Sequence, residues 1–330
     1  MDLPELLPKR PPLEPVPLAQ LPERPHVSIV VPSFKQGRFI RDTIESILSQ
    51  DYRPLTIHVI DGGSPDDTVD VLKSFGDIPE LKWVSEKDRG VVHAVNKGFA
   101  QVTGDIIAIQ SSDDMYRPGA LSRIVAVFQQ HPEVGLIYGD TVKVNADGSD
   151  LLKTTIGPYT LENLLLMKTW IPQPSAFFRK EMLDACGGWD ESIPYAPDTD
   201  LWIRMAFRTQ VIKLDEFLSA RRMHDEQRDT QKSKIVRDYT QMIRQSPDIA
   251  AAPLKLQHAA QVGCHLIQIR YNVSGSPWKE LWHKWQARRL RPDVIPAHSL
   301  LRSTWKPFQI ALSKIKRAVL GAKSSTAEAE

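Results

Sequence analysis

The run DIIAIQSSDD, residues 105–114, decides the fold predicted for this chain. Its four consecutive apolar residues, 106–109, predict a buried strand, which stops at small polar residues and two adjacent carboxylates, Asp113 and Asp114. In an open α/β sheet, ligands bind just beyond the C-terminal ends of the strands. There, a divalent cation held together with phosphate oxygens would offset the repulsion between two carboxylates. Taken alone, the pair also suits a strand-to-helix turn in which an aspartate caps the next helix.

The composition is typical of a globular protein. The 330 residues are 42% hydrophobic and 25% charged with a net charge of +2, which suits one large or two small domains and calls for no nucleic-acid partner. Cys186 and Cys264 lie far apart without metal-type spacing, which fits a reducing, cytosolic compartment. Residues 1–25 are rich in Pro and Leu and predict an extended arm rather than a signal peptide. No apolar run reaches the roughly 18 residues that a membrane-spanning helix needs.

Three strand–helix units precede residue 105 and place its strand in a sheet. The predicted strands are 27–31, 55–60 and 81–84, and the predicted helices are 38–50, a segment that starts near 66–67, and 91–101. Four strands alternating with helices predict a parallel sheet with right-handed crossovers. Because all four strand ends carry polar or acidic residues, we expect a binding site along that edge of the sheet.

The second half of the chain predicts a mixture of shorter elements. Strands are predicted at 134–138, 141–144, 211–214 and 217–220, helices at 119–130, 160–168 and from 197, and residues 176–178 form a short apolar run. Pro197 suits the first position of its helix, where a missing N–H costs nothing. From Lys232 onward the pattern is mainly helical.

Seven fragments in a fixed order carry a resemblance to a known family. They are VSIVVPSFKQGRFI (27–40), HVIDGGSPDDT (58–68), SEKDRGVVHAVNKGFAQVTGDII (85–107), SSDDMYRPGAL (111–121), GGWDES (187–192), APDTDLWIR (196–204) and RRMH (221–224). The series resembles the family 2 inverting glycosyltransferases of the GT-A fold. That resemblance implies an α/β fold with a Rossmann-like, mostly parallel sheet flanked by helices and a C-terminal helical extension.

The domain boundaries follow from the same resemblance. We expect an extended Pro-rich arm over 1–25, a glycosyltransferase domain over 26–230, and a helical, basic C-terminal extension over 231–330. Within the catalytic domain, 26–114 would form the nucleotide-binding half and 115–230 the acceptor-binding half.

The family implies a nucleotide-diphosphate sugar donor, with a UDP-sugar favoured, and a divalent metal, Mn²⁺ or Mg²⁺. The residues that match its donor-binding positions are Pro32, Ser33, Phe34, Asp61, Asp88, Arg89, Asn96 and Asp113. Asp61 also suits a tight Asp-Gly turn, Asp88 and Arg89 a solvated ion pair, and Asn96 a plain surface amide.

The metal would bind Asp114 directly. Asp113 would bind ribose or metal-bound water, and His224 would complete the metal shell or hold the diphosphate. The chain departs from common family forms at Gln110–Ser112, where an earlier aspartate is missing, and at Gly62, which replaces a second aspartate.

Asp198 matches the catalytic base of the family, which removes the proton of the acceptor hydroxyl during a single displacement with inversion. The acceptor side would include Gln173, Trp189 and Asp200. As alternatives, Asp198 and Asp200 suit the favourable N-terminus of a helix, and Trp189 suits the core. The commonest task in the family is the synthesis of bacterial surface polysaccharide or lipid-linked glycans, so we expect a glycan or lipid-linked acceptor and a cytoplasmic location, peripheral to the inner face of the plasma membrane.

Three other classes fit less well. A nucleotidyltransferase needs a Gly-rich basic loop after the first strand, but 32–38 contains one glycine. A dehydrogenase needs Gly-x-Gly-x-x-Gly after a strand, which is missing. A non-catalytic nucleotide-sugar-binding or scaffold protein would be expected to lose the carboxylates at 113, 114 or 198.

The tail provides a last expectation. Residues 302–323 contain six basic and no acidic residues, with an apolar stripe formed by Trp305, Phe308, Leu312, Ile315 and Val319. A basic helix with such a stripe can lie in a membrane interface, or it can pack on the catalytic domain or on another subunit of an oligomer.

Overall fold

The computed structural model describes residues 14–224, 231–273, 275–298 and 300. The strands are β1 (Val27–Ser33), β2 (Leu55–Asp61), β3 (Leu81–Ser85), β4 (Ile106–Ile109), β5 (Met115–Tyr116), β6 (Val134–Val144), β7 (Asp150–Thr154), β8 (Ala176–Arg179) and β9 (Gln210–Arg222). The helices are α1 (Ile40–Leu48), α2 (Thr68–Ser74), α3 (Val91–Phe99), α4 (Ala120–Gln130), α5 (Leu161–Leu165), α6 (Lys180–Cys186), α7 (Pro197–Ala206), α8 (Lys232–Gln245), α9 (Pro247–Ala251), α10 (Leu254–Tyr271) and α11 (Pro277–Leu290). The tail 302–323 lies outside the described residues.

Within the described residues, nine strands form one sheet in the order β3-β2-β1-β4-β8-β6-β9-β5, with β7 paired to β6. β1, β2, β3 and β4 are mutually parallel, which confirms the sheet predicted for the first half. β1, β2 and β4 are buried on both faces, which explains their nearly continuous apolar runs, whereas the edge strand β3 is partly exposed. Helix α3 packs closely on β1 because Gly98 has no side chain, and a Cβ there would lie 2.3 Å from Val30 Cγ1.

The second half of the sheet is mixed, because β8 runs antiparallel to both β4 and β6. The two strands predicted at 134–138 and 141–144 are one strand, β6, and those at 211–214 and 217–220 are one strand, β9. The β6–β9 pairing shifts register on both sides of Asp140, whose buried carboxylate accepts from Ile156 N–H at 2.9 Å and pairs with Lys213 at 3.4 Å. β5, β7 and α6 were not predicted from the sequence.

The C-terminal helices pack on the sheet domain rather than standing apart. Buried residues of α8 and α10 belong to the same apolar core as those of α3, α5 and α7. α10 packs against α5, α8 and α11, and Tyr239 of α8 donates to the Leu165 carbonyl at 2.9 Å. No helix in the described part of the chain is long and apolar enough to cross a membrane.

Candidate active site

The C-terminal ends of the parallel strands align side by side. Ser33 of β1 is in register with Asp61 of β2, which is in register with Ser85 of β3. Pro32 and Ser33 are buried, whereas Phe34 projects with 53% of its surface exposed. The buried Ser33 hydroxyl finds no hydrogen-bond partner among the described residues. An unpaired buried hydroxyl at a strand end is the kind of group that a ligand satisfies.

Asp61 forms the turn that closes this edge. Its carboxylate is fully buried and accepts from Gly63 N–H at 3.1 Å, Ser64 N–H at 2.9 Å, and the hydroxyls of Ser64 and Ser85 at 2.5 and 2.6 Å. Three of these bonds end on Oδ2 and one on Oδ1, so the carboxylate is held within the turn. The alternative of a tight turn is therefore what the structure shows, and direct contact between Asp61 and a nucleotide stays a prediction.

Asp88 lies next to that turn. Its carboxylate accepts from Gly90 N–H at 2.7 Å, and a Cβ at Gly62 would lie 2.8 Å from Asp88 Oδ2. A second aspartate at position 62 would therefore bring two carboxylates into repulsive contact, which gives a physical reason for the glycine. Arg89 pairs with Glu191 rather than with Asp88, at 2.7 Å, and both side chains are largely exposed. This solvated ion pair joins two segments of the chain.

The Asn96 side chain is bonded to the backbone of Trp189, and its contact with nucleotide stays a prediction. Its amide donates to the Trp189 carbonyl at 2.9 Å and accepts from Trp189 N–H at 2.8 Å. Both ends of the side chain are thus occupied by one backbone unit 93 residues away. Trp189 itself is only 7% exposed and belongs to the apolar core, which agrees with its core alternative, and its contact with the acceptor stays a prediction.

Replacing Asn96 with Ala is expected to destabilise the fold without weakening donor binding. Two hydrogen bonds disappear and leave the Trp189 backbone groups unpaired, a loss of about 1–3 kcal/mol in the free energy of unfolding. Urea unfolding and nucleotide titration of the same variant measure the two effects. Asn96→Asp, which keeps one acceptor, should lose less stability. A loss of nucleotide affinity at unchanged stability would restore the predicted binding role.

The two carboxylates after β4 have different environments. Asp114 is 4% exposed, and its Oδ1 accepts from Arg222 N–H at 2.9 Å. Burial, reinforced by the neighbouring charge of Asp113, raises the pKa of Asp114 well above its ordinary value. Asp113 is less buried, and its Oδ2 lies 2.8 Å from His224 Nε2. The side chain that faces the predicted histidine is therefore Asp113, whereas the sequence favoured Asp114 as the direct ligand.

Arg222 holds these two aspartates in place, a role that the sequence did not reveal. Its backbone N–H bonds Asp114, its Nε donates to the Asp113 carbonyl at 3.1 Å, and its Nη2 pairs with Asp42 at 2.7 Å. The buried guanidinium also lies 4.9 Å from the ring centroid of Phe39. In the sequence, only the motif RRMH pointed to Arg222. A basic residue at the end of a strand is usually exposed to solvent, so its residue type did not indicate this buried role.

Asp113 and His224 are suitable ligands for a divalent metal whose remaining coordination positions are filled by the nucleotide-sugar donor. A carboxylate oxygen suits Mg²⁺ or Mn²⁺, and an added imidazole nitrogen favours the transition metal of the two. Within the described ranges no group of three or more His, Cys, Asp or Glu is ready to hold a metal. Two protein ligands are nevertheless enough where the oxygens of a substrate diphosphate supply the remaining positions.

The segment that precedes α7 is tied to the nucleotide edge by the Arg89–Glu191 pair and by the Asn96–Trp189 hydrogen bonds. Pro197, eight residues after Trp189, is the first residue of α7, as predicted, and half-buried Asp198 follows it. Asp198 Oδ1 accepts from Thr199 N–H at 2.8 Å, and the helix N-terminus favours its negative charge.

Two predicted acceptor residues differ in their environments. Asp200 is 9% exposed and pairs with Arg204 at 2.7 Å one helical turn away, and its contact with the acceptor stays a prediction. Gln173 donates to the Ile109 carbonyl at 2.5 Å and accepts from the Ser111 hydroxyl at 3.0 Å. Gln173 therefore lies at the end of β4, where an acceptor role stays a prediction.

Comparison with known proteins identifies a family that this chain resembles. The profile of Glycosyl transferase family 2 matches residues 28–186. An uncharacterized glycosyltransferase of Mycobacterium tuberculosis is 31% identical over 185 residues, which cover 55% of this chain and 69% of that protein. The chain belongs to glycosyltransferase family 2. This glycosyltransferase also matches an uncharacterized glycosyltransferase of Nostoc with 29% identity over 167 residues, 48% of this chain and 52% of the relative. It therefore spans about half the length of that relative.

Solved structures place the glycosyltransferase in the GT-A fold. Staphylococcus aureus TarS 1–349 in complex with UDP-GlcNAc superposes with a TM-score of 0.61 at 15% identity, covering 82% of each chain. The mannosyltransferase PcManGT from Pyrobaculum calidifontis, in complex with GDP-Man and Mn²⁺, superposes with a TM-score of 0.59 at 22% identity, covering 91% of this chain and 84% of that one. At this identity the likeness shows the fold, which confirms the predicted class.

Proposed function

We propose that this glycosyltransferase moves a sugar from a nucleotide-diphosphate sugar to an acceptor hydroxyl in one displacement that inverts the anomeric carbon. The contact of Asp113 with His224 at 2.8 Å, beside the buried Asp114, carries the proposal. It assembles a carboxylate and an imidazole from segments 111 residues apart at the ligand-binding edge of a parallel sheet. Structural neighbours with the same fold bind UDP-GlcNAc and GDP-Man, which supports a donor of this class.

Donor binding would use the whole edge of the sheet. Phe34 and the unpaired Ser33 hydroxyl offer an apolar face and a polar group to a nucleoside, and Asp88, beside Gly62, and Arg89 would add an acceptor and a cation. Asp113 and His224 would hold Mn²⁺ or Mg²⁺, which when bound would neutralise the negative charge of the diphosphate. Mn²⁺ bound to the archaeal mannosyltransferase supports this choice.

Asp198 would act as the general base. Its carboxylate takes the proton of the acceptor hydroxyl while that oxygen bonds to the anomeric carbon and the bond from this carbon to the diphosphate breaks. The nucleoside diphosphate leaves with the bonding electrons, and the sugar carbon inverts. Thr199 N–H holds one carboxylate oxygen, so the side chain is oriented before the acceptor binds.

The acceptor would be a bacterial surface polysaccharide or a lipid-linked glycan, glycosylated at the inner face of the plasma membrane. The relatives named above come from bacteria, which supports a bacterial pathway. Gln173, at the end of β4, would contact this acceptor.

A donor panel tests the proposal directly. UDP- and GDP-sugars are added with Mn²⁺, with Mg²⁺ or with a chelator, and thermal unfolding is followed; a donor at about 100 times its Kd stabilises the fold by about 2.7 kcal/mol. The donor found in this way should then release nucleoside diphosphate when an acceptor is present, and NMR should show the inverted anomer. Stabilisation without turnover over a range of acceptors would favour a non-catalytic binding protein. No stabilisation by any nucleotide sugar with either metal would contradict the proposal.

A further inference from the structure

Helix α11 presents three largely exposed tryptophans on one face. Trp278, Trp282 and Trp285 are 59%, 47% and 51% exposed. Their spacing of four and three residues, extended by Arg289 four residues later, puts all of them on one face of the helix. Ala287, the buried residue of the helix, lies on the opposite face, which packs on α10. The largest apolar side chains of the helix are therefore exposed to solvent.

This tryptophan face is held firmly by the protein. Arg291, just after α11, pairs with Glu162 of α5 at 2.6 Å, and Lys255 of α10 reaches the same carboxylate at 2.6 Å. Trp282 also makes edge contacts with His265 of α10 and with His283 at 5.7 and 4.8 Å between ring centroids. The exposed rings thus stand on a fixed platform rather than on a fraying end.

The chemistry of the face is apolar with a basic border. The three tryptophans, with Leu281 and Leu300, line an open cavity of about 360 Å³. Lys279 and Arg289 are exposed on the same helix and form no ion pair with another described residue, whereas Glu280 is paired with Lys284 at 2.6 Å. Exposed apolar patches of this kind mark interaction sites. Indole rings beside cationic side chains are characteristic of proteins that lie at the headgroup level of a bilayer.

We infer that the tryptophan face of α11 binds the headgroup region of an anionic phospholipid bilayer. The indoles enter the boundary between headgroups and acyl chains, and Lys279 and Arg289 contact lipid phosphates. A protein partner would need an apolar surface that also complements these two positive charges, whereas an anionic bilayer supplies both properties at once. The inference concerns a surface formed by α10 and α11 and does not depend on the donor or on the catalytic base.

Flotation of the full chain with vesicles tests the inference. The vesicles contain phosphatidylglycerol and phosphatidylcholine in equal parts, or phosphatidylcholine alone, at low salt. We expect binding to the anionic vesicles that falls at least about tenfold in the double variant Trp278→Ala/Trp285→Ala, and at least about fivefold in Arg289→Glu. Trp282 is left in place because its ring contacts α10.

Matched controls come from other surfaces of the chain. Leu151→Ala removes a 55% exposed apolar side chain on β7, and Lys73→Glu reverses an exposed charge on α2; both should bind like the unaltered protein. Quenching of the unaltered protein's tryptophan fluorescence by brominated lipid gives a measurement that needs no variant. Equal binding by the α11 variants and the unaltered protein, or no binding by the unaltered protein, would overturn the inference. Self-association that the α11 variants abolish in the absence of lipid would also overturn it, in favour of a second copy as the occupant.

Discussion

Replacing Asp198 with Asn is expected to lower turnover about 10²- to 10⁴-fold, the range that a general base contributes. The amide has nearly the shape of the carboxylate and can still accept from Thr199 N–H, so the start of α7 should stay intact. It cannot take the acceptor proton, however, and the glycosyl bond would form without a base. Affinity for donor and metal should change little. Single-turnover transfer and donor titration separate the two quantities.

Asp200→Asn is the matched control, two residues along the same helix. Asp200 is buried in an ion pair with Arg204, so its loss should destabilise the fold by about 3–5 kcal/mol. Asp198→Asn is thus expected to lose turnover, whereas Asp200→Asn is expected to lose thermal stability. Near-normal turnover in the first variant would move the role of base to another residue.

The second large effect concerns the metal. Asp113→Asn is expected to weaken Mn²⁺-dependent binding of the nucleoside diphosphate by about 100-fold, at least as much as losing an outer-shell partner of a metal ligand costs. The reason is that Asp113 alone of the two adjacent carboxylates faces His224. Asp114→Asn should have a smaller effect, because its amide oxygen can still accept from Arg222 N–H inside the protein.

Calorimetric titration of the nucleoside diphosphate in Mn²⁺ and in a chelator measures this difference. His224→Ala should resemble Asp113→Asn, and both should bind alike once the metal is removed. A larger loss from Asp114→Asn would contradict the assignment and return the ligand role to the residue that the sequence favoured.

The sequence by itself determined the architecture of the nucleotide-binding half. Apolar runs such as Ile106–Ile109, alternating with amphipathic helices, are local patterns, and local patterns specify strands, helices and the parallel order of their connections. The clustering of polar residues at the strand ends then located the candidate site. The ordered fragments indicated the family, and the comparisons confirmed it. By contrast, the sequence predicted two strands in place of β6 and two in place of β9. The reason is that a buried ion-pair partner, such as Lys213 for Asp140, lies on another strand and cannot be read from the local sequence.

Only the tertiary structure decided which candidate side chains face the site. Asp113 and Asp114 are neighbours in sequence, and their difference arises from Arg222, 108 residues beyond Asp114, which binds one of them inside the protein. Asn96, Trp189 and Asp200 were assigned to ligands from the family resemblance, but the structure shows Asn96 bonded to the Trp189 backbone, Trp189 in the apolar core and Asp200 paired with Arg204. The physical reason is that propensity and periodicity act over a few residues. Burial and hydrogen-bond partnership, in contrast, depend on which distant segments the folded chain brings into contact.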